Sequence, residues 1–170
     1  ILFILFLNFL NIFNANSSEV FNFDVTEIEI LDGGNKIIGK NRGTITTDNG
    51  ITIEANRFEF DKIRNILQAK GDVTIKDEVN NYNFSSQDIL YEKNKERIQI
   101  KGKAEALIDS IYKFETEDIV ILRKEMQINS DIGAKILDDL NKTQYEIGKF
   151  SYLIDEKILK GEKIFINTKY

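Results

Sequence analysis

The chain has 170 residues, a formal net charge of −5, and neither cysteine nor histidine. This composition excludes disulfides, thiolate or histidine catalysis, and metal sites built from Cys and His, and we expect no cofactor. A pI near 5.0 and dispersed Lys and Arg argue against a nucleic-acid partner. The length fits about one domain.

An uncharged apolar run occupies residues 1–13. It is too short to span a bilayer as a helix, which needs about 20 residues, and it is typical of a signal-peptide core. Ala15 and Ser17 fit the small-x-small preference of a cleavage site. We therefore expect a signal peptide over residues 1–17 that lacks its basic n-region, and an exported domain over residues 18–170. An apolar first strand is the alternative.

Beyond Ser18 the sequence has no proline, no low-complexity linker and no helical periodicity. Apolar residues alternate with polar ones, and clusters of Asp, Asn, Lys and Gly interrupt the alternation. This pattern predicts a single all-β domain.

A unit of about thirty residues recurs along this domain. Each copy carries two pairs of apolar or small residues with spacings of 2, 3 and 2, and the copies begin at Phe23, Ile53, Phe84, Phe114 and Tyr145. Side chains of a strand alternate between its faces, so a step of three turns the second pair outward unless a β-bulge restores it. We predict antiparallel, bent strands with bulges near Ala55, Ser86 and Thr116.

The strands that return from each turn keep one phase, as in the series of alternate residues from Leu67 to Ile75. We therefore expect them to need no extra residue. A glycine, Gly71 or Gly102, stands in the middle of two of these strands and permits a sharp bend.

Two series of turns alternate along the chain. One series lies at Asp61, Glu92, Arg123 and Asp155, and the other lies at residues 48–50, 77–81, 109–110 and 138–142. Strands of about twelve residues, all bent at one level, are predicted to fold the sheet over on itself, so that its two halves enclose an apolar trough.

The segment ANRFEFDKIRNILQAKGDVTIKD, residues 55–77, combines a small residue, an apolar-x-aromatic pair, a charged turn and apolar residues alternating around Gly71. Over residues 21–170 the chain resembles the OstA-like domain of lipopolysaccharide transport proteins. Residues 112–131, YKFETEDIVILRKEMQINSD, are most similar to the N-terminal periplasmic domain of LptD-type outer-membrane assembly proteins. The single-domain LptA type shares the repeats.

The resemblance implies a β-jellyroll, also called a β-taco, that carries the acyl chains of lipopolysaccharide across the periplasm without chemistry. It also implies docking, end to end, with another OstA-like domain. For an LptD-type protein it implies a following membrane barrel and the lipoprotein LptE as partner. We accordingly expect a non-enzymatic periplasmic protein, associated with the outer membrane if a barrel follows.

Large apolar side chains on the inner face of the central copies are predicted to contact lipid. A single sheet folded on itself has no second layer to fill its trough, and burying acyl chains contributes about 0.8 kcal/mol per CH₂. Dry core packing is the alternative. The predicted lipid-contacting residues are Phe58, Phe60, Phe84, Ile89, Tyr91, Ile98, Ile100, Phe114, Ile119 and Ile121.

Both ends of the stack are predicted to be open edges that pair with further strands. At the N-terminal end, the predicted partner edge consists of Phe23, Val25, Ile28 and Ile30. At the C-terminal end, the strand over residues 163–170 would lead into the next segment of a longer protein.

Other motifs and function classes receive less support. The pairs Glu117-Asp118 and Asp138-Asp139 are interpreted as solvated acidic turns rather than as acid–base or calcium sites. Adjacent strand residues point to opposite faces, so neither pair converges on one site. Residues 32–35, DGGN, read as a hairpin turn rather than a phosphate-binding loop. A polysaccharide-processing enzyme on a parallel β-helix and a structural surface repeat with a dry core are the alternative functions.

Overall fold

The computed structural model describes residues 21–168 of the chain. The predicted signal peptide over residues 1–17 and the end of the predicted last strand therefore lie outside the described residues. The fold consists of fourteen strands and two single 3₁₀ turns, at Asp32–Gly34 and Lys93–Lys95. None of the helical turns in this part of the chain has the length or hydrophobicity of a membrane-spanning helix.

The strands are β1 (Phe21–Leu31), β2 (Lys36–Thr47), β3 (Ile51–Ala55), β4 (Arg57–Asp61), β5 (Ile66–Asp77), β6 (Tyr82–Glu92), β7 (Arg97–Ile108), β8 (Tyr112–Leu122), β9 (Gln127–Ser130), β10 (Ala134–Asp138), β11 (Thr143–Ile147), β12 (Lys149–Leu153), β13 (Ile158–Glu162) and β14 (Phe165–Thr168).

All fourteen strands form one sheet, and every pair of neighbouring strands in it is antiparallel. Four of the long strands are split at the bend, so that β3 and β4, β9 and β10, β11 and β12, and β13 and β14 are the halves of longer strands. The all-β β-jellyroll prediction is confirmed. The alternative of a parallel β-helix is wrong, because its strands would pair in parallel.

Every long strand bends at the same level, which divides the sheet into two halves. The upper half-sheet ends at the upper turns, residues 48–50, 78–81, 109–111 and 139–142. The lower half-sheet ends at the lower turns, residues 32–35, 62–65, 93–96, 123–126 and 154–157. Both turn series lie where the sequence predicted them, and residues 32–35 form the expected hairpin connection.

The bend lies at the predicted level, but the extra residue lies on the other strand. Ala69 pairs with Ile89 and Val73 pairs with Ser86, so a step of four on the returning strand β5 faces a step of three on β6. The prediction that returning strands need no extra residue is therefore wrong. The periodicity of one strand predicts which of its side chains point inward. Which of two paired strands carries the extra residue depends on their register, and the sequence of either strand alone does not give it.

Left-handed backbone conformations on the returning strands make this bend possible. Gly71 has φ +77° and Gly102 has φ +71°, in the region that favours glycine. The Asn56 N–H, between β3 and β4, donates a 2.9 Å hydrogen bond to the Gly71 carbonyl across the bend. Gly71 therefore faces the interruption between β3 and β4, as the sequence predicted.

The two half-sheets pack face to face and enclose one apolar core. Phe21, on the upper half-sheet, makes edge-to-face contacts with Phe60 and Tyr91 of the lower one, at ring-centroid distances of 4.8 and 5.7 Å. Near the other end, Phe114 of the upper half-sheet packs against Phe150 of the lower at 5.6 Å. The two edge-to-face pairs of Phe21 stabilise the fold beyond the burial of their surface alone. The sheet thus supplies both layers of its own core.

Candidate functional site

The ten predicted lipid-contacting residues all lie in the core between the half-sheets. Each exposes 6% or less of its surface. They form cross-strand rows, in which Ile98 and Tyr91 are neighbours, as are Ile100 and Ile89. The inward direction of these side chains follows the period-2 alternation on either side of the bend. Their contact with lipid stays a prediction.

The described chain has an apolar opening at its C-terminal end, which we call the C-terminal mouth. It is a cavity of about 240 Å³ between the last strands of the two half-sheets. Its lining consists of Tyr112, Phe114, Ile136, Tyr145, Ile147, Tyr152, Lys157, Leu159, Ile164 and Ile166. Of the ten predicted residues, Phe114 alone lines this cavity.

The other residues of the mouth were not among the predicted lipid-contacting residues, although the sequence carries a signal for several of them. Tyr145 and Tyr152 occupy the same positions in the fifth copy as Phe84 and Tyr91 do in the third, whereas Ile147 matches Ser86, which is not among the predicted lipid-contacting residues. Tyr145, Ile147 and Tyr152 line a cavity because β13 and β14 each pair on one side only within residues 21–168. Ile164 and Ile166, beyond the last copy, expose 45% and 63% of their surface.

The N-terminal end presents the predicted partner edge on β1, which pairs with β2 alone among the described strands. Phe23 and Val25 are half-buried against the core. Ile28 and Ile30 instead expose 48% and 63% of their surface. The lower arm of β1 therefore leaves an apolar strip uncovered, and whether another strand pairs with it stays a prediction.

Along the face opposite the bend, side chains of the upper turns and strand ends contact side chains of the lower turns and strand ends. We call this line of contact the seam. The Lys93 Nζ lies 2.9 Å from Asp48 Oδ1, and the Tyr152 hydroxyl donates a 2.9 Å hydrogen bond to Asp109 Oδ2. The Lys157 Nζ also lies 3.2 Å from Asp109 Oδ1. Polar contacts thus close the half-sheets at several points along the stack.

Arg123 is the central cation of the seam. Its Nη2 lies 3.0 Å from Asp77 Oδ2 at the end of β5, and its Nη1 lies 2.7 Å from Glu96 Oε2. Nη2 also approaches the Asn49 carbonyl at 3.3 Å. The Arg123 side chain is 10% exposed and that of Asp77 is fully buried. Charges withdrawn from water to this degree require such pairing.

Glu96 is the hydrogen-bond acceptor at the middle of the seam. Lys93, Tyr91 and Arg123 each place a donor 2.7 Å from its carboxylate, and Asn49 places an amide at 2.9 Å. Burial favours the neutral acid, but the hydrogen bonds from Lys93, Tyr91 and Arg123 outweigh it and lower the pKa of Glu96 to about 2. Glu96 is therefore ionised at neutral pH.

The same surroundings shift the pKa values of Tyr91 and Asp77. Burial, followed by the hydrogen bond to Glu96, raises the pKa of Tyr91 to about 12. Burial opposes the ionisation of Asp77, yet hydrogen bonds from Asn80 and Arg123 lower the pKa of Asp77 below its usual range. The phenol stays neutral and the carboxylate stays charged at neutral pH.

The acidic pairs singled out in the sequence have structural partners. Asp118 accepts a 2.7 Å hydrogen bond from the Gly102 N–H, and Asp139 forms an ion pair with Lys113. Asp138 accepts from the Leu140 and Asn141 N–H groups and is 3% exposed, so its description as solvated is wrong. The turn geometry buries this carboxylate as a local cap.

An open groove of about 760 Å³ crosses the strands at the level of the bend. Its lining carries positive side chains, including Arg42, Lys103 and Lys135, and negative ones, including Glu105 and Glu115. Among residues 21–168, no group of acidic side chains is placed to hold a metal ion.

No family model and no curated protein matches the chain. Among solved structures, the chain is similar to the crystal structure of LptH, the LptA homologous periplasmic component of the conserved lipopolysaccharide transport device from Pseudomonas aeruginosa. The two chains are 10% identical, with a TM-score of 0.37, and the similarity covers 88% of this chain and 95% of that chain.

Proposed function

We propose that this chain is a non-enzymatic carrier that binds lipopolysaccharide in the periplasm and passes it towards the outer membrane. The observation that carries the proposal is a continuous apolar interior that opens to the surface at the C-terminal mouth. Burying acyl chain against such walls contributes about 0.8 kcal/mol per CH₂.

The repeat motif of residues 55–77 supports the same function, because it resembles that of OstA-like domains. Within this class we propose the LptD type, on the resemblance of residues 112–131, with LptE as partner and outer-membrane association through a following barrel. A stand-alone LptA-type bridge is the alternative. Sequence of the full gene downstream of residue 170 distinguishes the two.

We also propose that the carrier continues through a second OstA-like domain. The outer side of β1 pairs with no other strand among residues 21–168, and together with the exposed Ile28 and Ile30 it offers backbone groups and apolar surface for an added strand. Photo-crosslinking residues along Phe21–Ile30 in cells should trap a periplasmic partner domain. If lipid passes while no partner is trapped, end-to-end docking at this edge is wrong.

Photo-crosslinking also tests lipid binding directly. A photoreactive phenylalanine analogue at Tyr145 or Leu159, in the mouth, and at Tyr91, in the core, should capture lipopolysaccharide. The same analogue at Lys62, on an exposed lower turn, serves as the control and should capture none. Equal capture at Tyr145 and Lys62 would contradict the proposal.

A structural repeat with a dry core is the second candidate, and one observation favours it. The core residues are already buried by one another, since Ile89, Tyr91 and Ile100 expose no surface in the chain alone. A structural repeat would give no adduct at Tyr91 or in the mouth, so the same experiment separates the two functions.

A further inference from the structure

The interior of the closed fold has too little room for the cargo that the proposed function assigns to it. Ile89, Ile98 and Ile100 expose no surface, and they belong to one buried core cluster with residues of the opposite half-sheet such as Phe84 and Phe114. The C-terminal mouth, at about 240 Å³, is smaller than the roughly 300–1,000 Å³ of ordinary small-molecule pockets. Filling the interior with acyl chains therefore requires the two half-sheets to separate.

Separation cannot occur by parting neighbouring repeats on the same side. Backbone hydrogen bonds join successive lower turns. They run from Lys93 N to the Asn65 carbonyl at 3.1 Å, from Arg123 N to the Glu96 carbonyl at 3.0 Å, and from Ile154 N to the Met126 carbonyl at 2.9 Å. The upper turns have a matching bond from Asp109 N to the Asn81 carbonyl at 2.9 Å. Each half-sheet is thus a continuously bonded unit up to its rim.

The contacts across the seam are of a different kind. Within residues 21–168, every hydrogen bond and ion pair that crosses it involves a side chain, including Lys93 with Asp48, Arg123 with Asp77, and Tyr152 with Asp109. These groups are polar and can be hydrated when they part. Backbone bonds within a half-sheet are not broken by such a movement.

The opposite margin of the two half-sheets has the features of a hinge. The long strands run through the bend without interruption, and Gly71 and Gly102 hold left-handed conformations there. A few residues that absorb changes in φ and ψ suffice for a hinge movement of two rigid units. The fold therefore has a flexible margin at the bend and a separable margin at the seam.

Arg123 is placed to control the separable margin. It belongs to a lower turn, and it binds Asp77 and the Asn49 carbonyl of the upper rim while it is held by Glu96 of its own side. We propose that the seam is a latch centred on Arg123, which opens so that the half-sheets part about the bend and admit an acyl chain. This inference rests on the proposed function for its ligand, but the movement itself can be measured without lipid.

The absence of cysteine allows spin labels to be placed at single pairs of positions. A pair at Val79 and Glu125, both exposed, spans the seam from an upper turn to a lower turn. A pair at Lys62 and Glu125 joins two lower turns and serves as the control. Pulsed electron paramagnetic resonance then gives the distance distribution of each pair, with and without purified lipopolysaccharide.

With lipopolysaccharide bound, as verified by co-elution in gel filtration, we expect the Val79–Glu125 distance to lengthen by about 5 Å, half the roughly 10 Å spacing of packed sheets. The Lys62–Glu125 distance should not change. Co-elution of lipid with an unchanged Val79–Glu125 distance would overturn the latch and leave the proposed function intact. Absence of co-elution would count against the proposed function.

A second measurement needs no lipid. Replacing Arg123→Met removes the charge at the seam, and the Val79–Glu125 distribution should broaden towards longer distances while the Lys62–Glu125 distribution is retained. Arg64→Met, which removes an exposed ion pair to Asp61, is the matched control and should change neither. If Arg123→Met folds and its Val79–Glu125 distribution is unchanged, the latch is overturned whatever the lipid result. If Arg123→Met does not fold, Lys93→Met replaces it, and an unchanged distribution in that variant overturns the latch in the same way.

Discussion

The Tyr91 hydroxyl donates a 2.7 Å hydrogen bond to Glu96 Oε2, which joins the apolar core to the seam. The ring of Tyr91 packs against Phe21 of the opposite half-sheet, so one side chain contributes to both the core and the polar closure. The inner face of β6 and the lower turn that follows it therefore act together in holding the half-sheets closed.

The hydroxyl of Tyr91 should contribute measurably to stability. Tyr91→Phe keeps the ring and removes a hydrogen bond to a charged acceptor, and we expect the free energy of unfolding to fall by about 1.5–3 kcal/mol. Tyr112→Phe is the control, because Tyr112 is only half-buried in the same sheet, and its effect should stay within about 0.5 kcal/mol. Urea denaturation measures both, and equal effects would contradict the prediction.

Stability should fall in acid because of Glu96. Its pKa is lowered from a usual 4.5 to about 2 by folding, so its contribution is fully present above pH 4.5 and is lost as the pH falls towards 2. Glu96→Gln should reduce the loss of stability between pH 4.5 and 2, and the remainder should come from other carboxylates whose pKa is lowered by folding, such as Asp77. Glu59→Gln, which removes a half-buried ion pair to Lys36, is the control and should retain the full loss of stability in acid. Thermal unfolding across this pH range measures the effect, and an unchanged slope in Glu96→Gln would exclude Glu96 as its source.

The two glycines of the bend should differ in their tolerance of alanine. A Cβ on Gly102 meets no atom within 4 Å, so Gly102→Ala costs only the left-handed conformation, about 1 kcal/mol. A Cβ on Gly71 would stand 2.9 Å from Asn56 Nδ2 and 3.1 Å from its Cβ, so Gly71→Ala should cost more, about 2–3 kcal/mol. Chemical denaturation compares the two, and an equal loss would mean that the Asn56 side chain moves aside freely.

The sequence predicts the inner face of this fold because period-2 alternation is a local property. Phe58, Ile89 and Ile119 could be assigned to the interior from their neighbours alone, and all three are buried. Ile28 has the same phase but is exposed, because the lower arm of β1 is the last described strand at this end of the sheet and the upper half-sheet does not cover it. Whether an inward-facing residue of an outer strand is buried depends on whether another strand covers it. The alternation within that strand does not predict this.

The seam could not be predicted in the same way. Arg123 and Asp77 are 46 positions apart and belong to opposite turn series, so no local pattern links them. The sequence placed both in charged turns, where solvation is the usual outcome. Their burial follows from the closure of one half-sheet on the other, which brings the two rims into contact.

The C-terminal mouth provides the sharpest test of lipid entry that leaves the core undisturbed. Ile166 lines the mouth and is 63% exposed, so Ile166→Asp should cost less than about 1 kcal/mol of stability, within the range of strand substitutions at an edge. A carboxylate there would have to be desolvated against an acyl chain, and we expect binding of lipopolysaccharide to weaken by at least roughly tenfold, about 1.4 kcal/mol. Leu140→Asp is the matched control, because Leu140 is similarly exposed, at 72%, on an upper turn outside the mouth. Fluorescence titration with labelled lipopolysaccharide measures both variants, and equal affinities would show that the acyl chains do not use this opening.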